Sequence, residues 1–225
     1  MSRGFLLHSR PFKESSVIAA FVTDTDGRID LIVRSVRGKQ GKKNKPILPF
    51  CLYELSWIGR GELKNLQSFE AVAAPVELHG YHLFSGLYLN ELLYYLLPNL
   101  VEDAILMREY ERAILQLSAQ ENMESTLRVF EAVLLQRLGY GIDFFHDAKG
   151  SVLDPDGYYH FVPEQGLVCV GKTVAINVGR GEDFLAIGNQ DFASEAVRKL
   201  AKVTMRSAIA VCLGGKKLRS RELFF

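Results

Sequence analysis

The sequence predicts an α+β fold in three parts: a small five-stranded β-barrel, a helical bundle, and a small irregular region that includes a final helix. Three observations predict it. Up to about residue 73, short apolar runs alternate with Gly-closed turns; from Tyr81 the apolar spacing lengthens to that of helices; and between residues 140 and 190 Gly, Asp and aromatics dominate, with only brief β-like runs. The expected divisions are residues 1–78, 79–140 and 141–225.

In the first part, strands are expected near residues 4–9, 15–23, 27–35, 50–58 and 62–72. Val17, Ile18, Phe21 and Val22 lie in the second, Ile29, Leu31 and Val33 alternate in the third, and Leu52, Leu55, Trp57 and Ile58 mark the fourth. Thr23-Asp24-Thr25-Asp26-Gly27 and Ile58-Gly59-Arg60-Gly61-Glu62 close hairpins with glycine where a positive φ is needed. Five short strands with a long insertion between the third and fourth suit a Greek-key barrel of the OB type.

Helices follow. Leu83, Leu87, Leu89, Leu92, Leu93, Leu96 and Leu97 precede the stop at Pro98, and apolar residues surround this helix, so it should be buried. A second helical stretch runs from about Asp103 to Leu117. A third, from about Ser125 to Leu138, presents Leu127, Phe130, Val133 and Leu134 and ends at Gly139. Beyond it, Tyr158–Val162 and Leu167–Val170 read as short strands, and Ser194 caps a last helix reaching Cys212.

The 225 residues, 48% of them apolar, supply a sizeable core. No run of 18 apolar residues occurs, and Met1-Ser2-Arg3-Gly4 leads into patterned sequence without a signal-peptide h-region, so the expected compartment is the cytoplasm. Cys51, Cys169 and Cys212 are dispersed and never in C-x-x-C spacing; they read as reduced, buried thiols, with neither a disulfide framework nor a zinc site.

Net charge is only +1, but its distribution is uneven. Residues 1–80 carry 12 Lys/Arg against 8 Asp/Glu, residues 81–145 carry 4 against 9, and residues 146–225 carry 11 against 9. Basic ends around an acidic middle suit a chain that grips an anionic polymer at its ends.

The most informative segment is Arg34-Ser-Val-Arg37-Gly-Lys39-Gln-Gly-Lys42-Lys43-Asn-Lys45-Pro46. It holds six cations, and no carboxylate occurs between Asp30 and Glu54. Its glycines and proline exclude a helix. A cationic loop on a small barrel matches the electrostatic groove with which such barrels hold nucleic-acid backbones, although charge runs are more commonly solvated surface. A second basic feature is the stripe Arg198, Lys202 and Arg206 at i, i+4, i+8 on the last helix, followed by Lys216, Lys217, Arg219 and Arg221. Phe12, Tyr53, Trp57 and Phe69 could stack bases; most alternate into the core, and Phe12, in a polar stretch, is the one expected at the surface.

Gly166-Leu-Val-Cys-Val-Gly171-Lys172-Thr173 satisfies the P-loop pattern letter for letter. Such a loop must open a helix, whereas Thr173–Gly179 is β-branched and strand-like, and the pattern's four middle residues, Leu167-Val-Cys-Val170, are bulky and apolar where backbone N–H groups would have to wrap a phosphate. Asp154-Pro-Asp156-Gly157 reads as a turn, and His8, His79, His82, His146 and His160 lack metal-ligand spacing. No nucleophile elbow occurs. Neither catalytic residues nor a cofactor or metal are expected; the rival readings are a P-loop nucleotide hydrolase and an OB-type RNA-binding module.

Leu7-His-Ser-Arg10-Pro, Gly59-Arg-Gly-Glu62-Leu-Lys64, Phe84-Ser-Gly-Leu-Tyr-Leu-Asn-Glu91-Leu-Leu, Phe130-Glu131, Leu138-Gly-Tyr-Gly141 and Leu213-Gly-Gly-Lys-Lys-Leu-Arg-Ser-Arg221-Glu-Leu recur in order along the chain. In these segments the sequence resembles the RecO family of the gammaproteobacterial kind. The resemblance implies an N-terminal OB domain, a central helical domain and a C-terminal region that in many relatives holds four zinc cysteines, absent here. It implies a recombination mediator that binds single- and double-stranded DNA, anneals complementary strands, works with RecR, and helps place RecA on strands coated by single-stranded-DNA-binding protein (SSB). The DNA-contacting set would be Arg10, Arg34, Arg37, Lys39, Lys42, Lys43, Lys45, Arg198, Lys202, Arg206, Lys216, Lys217, Arg219 and Arg221. The acidic, apolar-ended SSB tail would dock on Leu87, Leu92 and Phe130, with Arg128 for its carboxylate.

Overall fold

The computed structural model describes residues 1–34, 46–172 and 177–224. Five strands close a barrel: β1 (Ser2–Phe12), β2 (Ser16–Thr23), β3 (Gly27–Arg34), β4 (Leu52–Ile58) and β5 (Leu63–Ala71), in the cyclic order β1-β2-β3-β5-β4. The hairpins β1–β2, β2–β3 and β4–β5 are antiparallel; β1 pairs β4 antiparallel, and the short β3–β5 pairing, Asp30 opposite Leu63 to Ile32 opposite Asn65, is parallel. Closure removes free sheet edges. Alternation in β3 sends Ile29, Leu31 and Val33 inward to meet Phe21, Ala19, Tyr53 and Leu55 in the barrel core. Gly27 closes the β2–β3 hairpin at φ +62°, and a Cβ there would meet the Val101 carbonyl oxygen at 1.9 Å, so glycine is required on two counts.

Helices α1 (Gly80–Leu96) and α2 (Ala104–Ser118) follow, and both pack on the barrel. Asn90 on α1 receives the Tyr110 hydroxyl of α2 at 2.6 Å and donates to the Leu6 carbonyl of β1 at 3.4 Å, so a buried amide ties the three elements together. Burial pushes the Tyr110 hydroxyl well above the ordinary phenol range. Asp103 caps α2 by accepting from the Leu106 N–H at 3.0 Å.

Residues 1–121 and 218–225 form one compact unit, and residues 122–217 a second. The second unit contains α3 (Met123–Arg137), the three-stranded antiparallel sheet β7-β6-β8 made of β6 (Tyr158–Val162), β7 (Gly166–Val170) and β8 (Val178–Arg180), then α4 (Gly181–Gly188) and α5 (Glu195–Leu213). Helix α5 packs against both α3 and α4. It stops at Gly214, which takes the left-handed conformation at φ 54°. A 3-10 helix, Arg219–Phe224, returns the chain to the first unit and lies on α1.

The α+β class, the five-stranded barrel, the following helices and the small C-terminal region stand as the sequence predicts. Some details differ. Helix α4 falls where only irregular chain was expected. The first strand extends to both sides of its expected range. Of the three thiols, only Cys51 is buried; Cys212 is half-buried and Cys169, near the end of β7, is exposed.

Candidate nucleic-acid interface

The barrel positions its cations by strand geometry. Arg34 is the last residue of β3 and donates to the Asn65 side-chain Oδ1 on β5 at 3.1 Å, so the start of the cationic run is fixed on the barrel wall. Arg37, Lys39, Lys42, Lys43 and Lys45 lie outside the described residues. A hollow of about 360 Å³ next to Arg34 is lined by Val17, Val33, Leu66 and Phe69, with Ser9 and Gln67 at its polar side. Arg10 lies near the end of β1 and is exposed.

Aromatic side chains flank this surface unequally. Tyr53 is buried, with its hydroxyl accepting from the Leu48 N–H at 2.8 Å. Phe69 packs on it edge to face at 5.8 Å. Phe12, expected at the surface, is half-buried, with the Lys13 ammonium 5.3 Å from its ring centroid. Trp57 is half-buried against the barrel core, with Lys64 over its ring at 5.8 Å and that ammonium 3.7 Å from Asp26.

Several cations are committed to the fold. Arg28 lies 4.5 Å from the Tyr94 ring centroid and donates to the Tyr94 carbonyl at 2.6 Å, which ties β3 to α1. In the second unit Arg198 donates to the carbonyls of Phe192 and Ala193, both at 2.6 Å, and its Nε lies 3.5 Å from Glu124. Lys202 meets the same carboxylate at 3.8 Å. Glu124 on α3 thus partly neutralises the stripe on α5, although Arg206 on that stripe remains exposed. Lys216 and Lys217 are exposed beyond Gly214. Arg219 is exposed, whereas Arg221 is half-buried with its guanidinium over the Tyr88 ring at 5.8 Å. Arg10, Arg34, Arg219 and Arg221 therefore belong to the first unit, and Arg198, Lys202, Arg206, Lys216 and Lys217 to the second.

The four positions read as a tail receptor are divided likewise. Leu87 and Leu92 sit on α1, the first half-buried and the second fully buried. Arg128 and Phe130 sit on α3 and are both buried, with Arg128 donating to Glu131 at 2.8 Å inside the helix packing. The spacing i, i+3 was available in the sequence; that the pair points inward was not.

The P-loop pattern occupies β7. Leu167 is fully buried and Gly166–Val170 pairs residue for residue with β6, so these backbone groups face a neighbouring strand and cannot wrap a phosphate. Lys172 is exposed, and Thr173 lies outside the described residues. No helix among the described residues is long and apolar enough to cross a membrane.

Residues 1–75 match the family model for the N-terminal part of recombination protein O, and residues 80–220 match that for its C-terminal part. The chain is 39% identical over 220 residues to the DNA repair protein RecO of Pseudomonas aeruginosa, covering 98% of this chain and 92% of the relative. It is 38% identical over 226 residues to that of Haemophilus influenzae, covering 100% and 95%. Against that of Vibrio parahaemolyticus it is 35% identical over 223 residues, covering 99% and 91%.

Proposed function

The chain belongs to the RecO family of DNA repair proteins, and from that premise we propose that it is a recombination mediator that binds DNA strands through the barrel, anneals complementary strands, and acts with RecR to load RecA on SSB-coated DNA. The observation that carries the reading is the closed barrel whose third strand ends at Arg34, where a run of cations without carboxylates begins. No catalytic side chain is invoked. Two polyanions held on one basic surface repel each other less and meet at a raised effective concentration, and this is the whole of the proposed chemistry.

Phosphate neutralisation releases counterions, so binding should tolerate sequence and weaken steeply with salt. The cations of the run, Arg37, Lys39, Lys42, Lys43 and Lys45, would supply most of this, and Arg10 and Arg34 of the barrel would add to it. Within the second unit, Arg206, Lys216 and Lys217 would supply phosphate contacts of their own, and Arg198 and Lys202 act mainly by holding α5 on α3. An SSB tail would bury its apolar end against the helices; a direct bond from its carboxylate to Arg128 requires the Arg128–Glu131 pair to open. Work in the cytoplasm, at the nucleoid, follows from the same reading. The test is annealing of complementary oligonucleotides, naked and SSB-coated, across a salt series. Acceleration that declines with salt supports the reading; absence of both binding and annealing at low salt refutes it.

A further inference from the structure

Two irregularities of the barrel meet at the hollow beside Arg34. On β1 the pairing with β2 passes from Leu6 opposite Phe21 to His8 opposite Ala20, which leaves Leu7 as an extra residue. On β5 the pairing with β4 passes from Leu66 opposite Trp57 to Ser68 opposite Ser56, which leaves Gln67 extra. Each is a β-bulge, and a bulge shifts the alternation of its strand by one position. A regular pleat with Leu6 inward would next send His8 inward; the bulge sends Ser9 instead. By the same shift Leu66 is followed inward by Phe69 and not by Ser68. Ser9, Gln67 and Phe69 accordingly line the hollow together with Leu6 and Leu66.

The walls and the rim of the hollow differ in chemistry. Leu6, Ala19 and Val33 belong to the barrel core, so the hollow is the open mouth of that core and not a groove on the outer wall. Phe69 gives it an aromatic side, fixed by the edge-to-face contact with Tyr53, whose hydroxyl is held in turn by the Leu48 N–H. Ser9 and Gln67 are exposed at the rim, and among the described residues neither side chain has a hydrogen-bond partner. Arg34 also lines the hollow; it donates to Asn65 Oδ1 and, among the described residues, pairs with no carboxylate. A ligand that answers these features has a flat apolar ring, polar atoms along the ring's edge and an anion a few bonds away. A nucleotide in a single strand has all three. The hollow, about 360 Å³, lies at the small end of ligand pockets, about 300–1,000 Å³, and so suits one base and not a base pair.

We propose that the mouth of the barrel is a pocket for a single DNA base, with Phe69 as its stacking side, Ser9 and Gln67 bonded to the base edge, and Arg34 on the adjoining phosphate. The proposal rests on the DNA-binding reading and deepens it. The cations hold a strand by its phosphates, whereas this pocket engages only a base free of its partner. In a duplex that base is paired and stacked, and extruding it is costly, so the pocket favours single strands.

An abasic strand carries the same phosphates as an oligothymidylate of equal length but no bases. The ratio of the two affinities therefore separates base contacts from the cationic run. The full chain is titrated with both fluorescent strands and with a duplex. Wild type should prefer the oligothymidylate by roughly five-fold or more, the low end for one base stacked on an aromatic ring. Val17→Phe, which fills the hollow, should abolish most of that preference and leave duplex affinity unchanged. Ser9→Ala with Gln67→Ala, both at exposed positions, should reduce it by a smaller factor. Thermal unfolding shows whether Val17→Phe folds; if it does not, the exposed pair decides. An undiminished preference in folded Val17→Phe or in the exposed pair overturns the pocket, as does an equal loss of duplex binding. Wild type that binds both strands equally, with affinity falling as salt rises, removes the pocket and leaves the DNA-binding reading standing. Wild type that binds neither strand nor duplex at low salt removes both.

Discussion

Arg128 and Glu131 bury opposite charges against each other on α3, 5% and 0% exposed. Removing one partner leaves the other charged in a poorly polarisable interior, whereas replacing both by apolar side chains removes the problem. Arg128→Ala should therefore lower the unfolding free energy by about 3–5 kcal/mol, and Arg128→Met with Glu131→Leu should recover much of it; urea denaturation measures both. The double variant also separates folding from recognition, since loss of SSB-tail binding in that folded protein would implicate the Arg128 guanidinium itself. His8 offers a second single-residue test. Burial against Tyr94 lowers its pKa, opposed by Glu91 and reinforced by Arg10 and Arg219. The folded chain then binds fewer protons than the unfolded one, so stability should fall as pH drops through about 6.5, the unfolded value. His8→Gln should flatten that decline in denaturation midpoints taken on either side of it; an unchanged slope would assign the proton uptake elsewhere.

Among the elements, the barrel strands and the long helices were legible because each carries its own period: Ile29, Leu31 and Val33 alternate, and Leu89, Leu92 and Leu93 recur at helical spacing. Helix α4 was not, because it has eight residues with a glycine at each end, and its start depends on Asp183 accepting from the Arg180 N–H at 3.3 Å, a cap outside the usual Ser/Thr pattern. The run between β3 and β4 gives a prediction at this scale. Lys39, Lys42, Lys43 and Lys45 replaced together by Ala should reduce oligonucleotide affinity and flatten its salt dependence by about 0.7 for each phosphate no longer neutralised, with the circular-dichroism spectrum retained. Unchanged binding would make the run solvated surface. Strand β7 gives another: Lys172→Ala should leave DNA binding unaltered, and the wild-type protein should show no DNA-stimulated ATP hydrolysis, because a paired strand presents no phosphate cradle. Stimulated hydrolysis abolished by this substitution would reverse that assignment.

At the scale of the whole molecule, one compact unit is assembled from residues 1–121 and 218–225, with the second formed by the chain between them. Deleting residues 218–225 should destabilise the first unit by on the order of 2 kcal/mol or more, since the buried Leu218 and the three Glu91 hydrogen bonds go together. Differential scanning calorimetry checks this, and an unshifted melting profile would show the segment to be dispensable. The sequence by itself determined the α+β class, the barrel and its turns, the failure of the P-loop pattern and the family resemblance, because alternation, helical spacing, glycine turns and ordered motifs are written within a few tens of residues. The candidate cations were legible there too, but only as a set of positions. Tertiary structure decided which of them hold the fold, as Arg198 does, and which stay exposed, as Arg10 and Arg219 do; it also placed Arg128 inside and joined the chain's end to α1. Burial and charge pairing depend on residues far apart in sequence, such as Glu91 and Ser220, and no local pattern encodes which distant group will lie opposite.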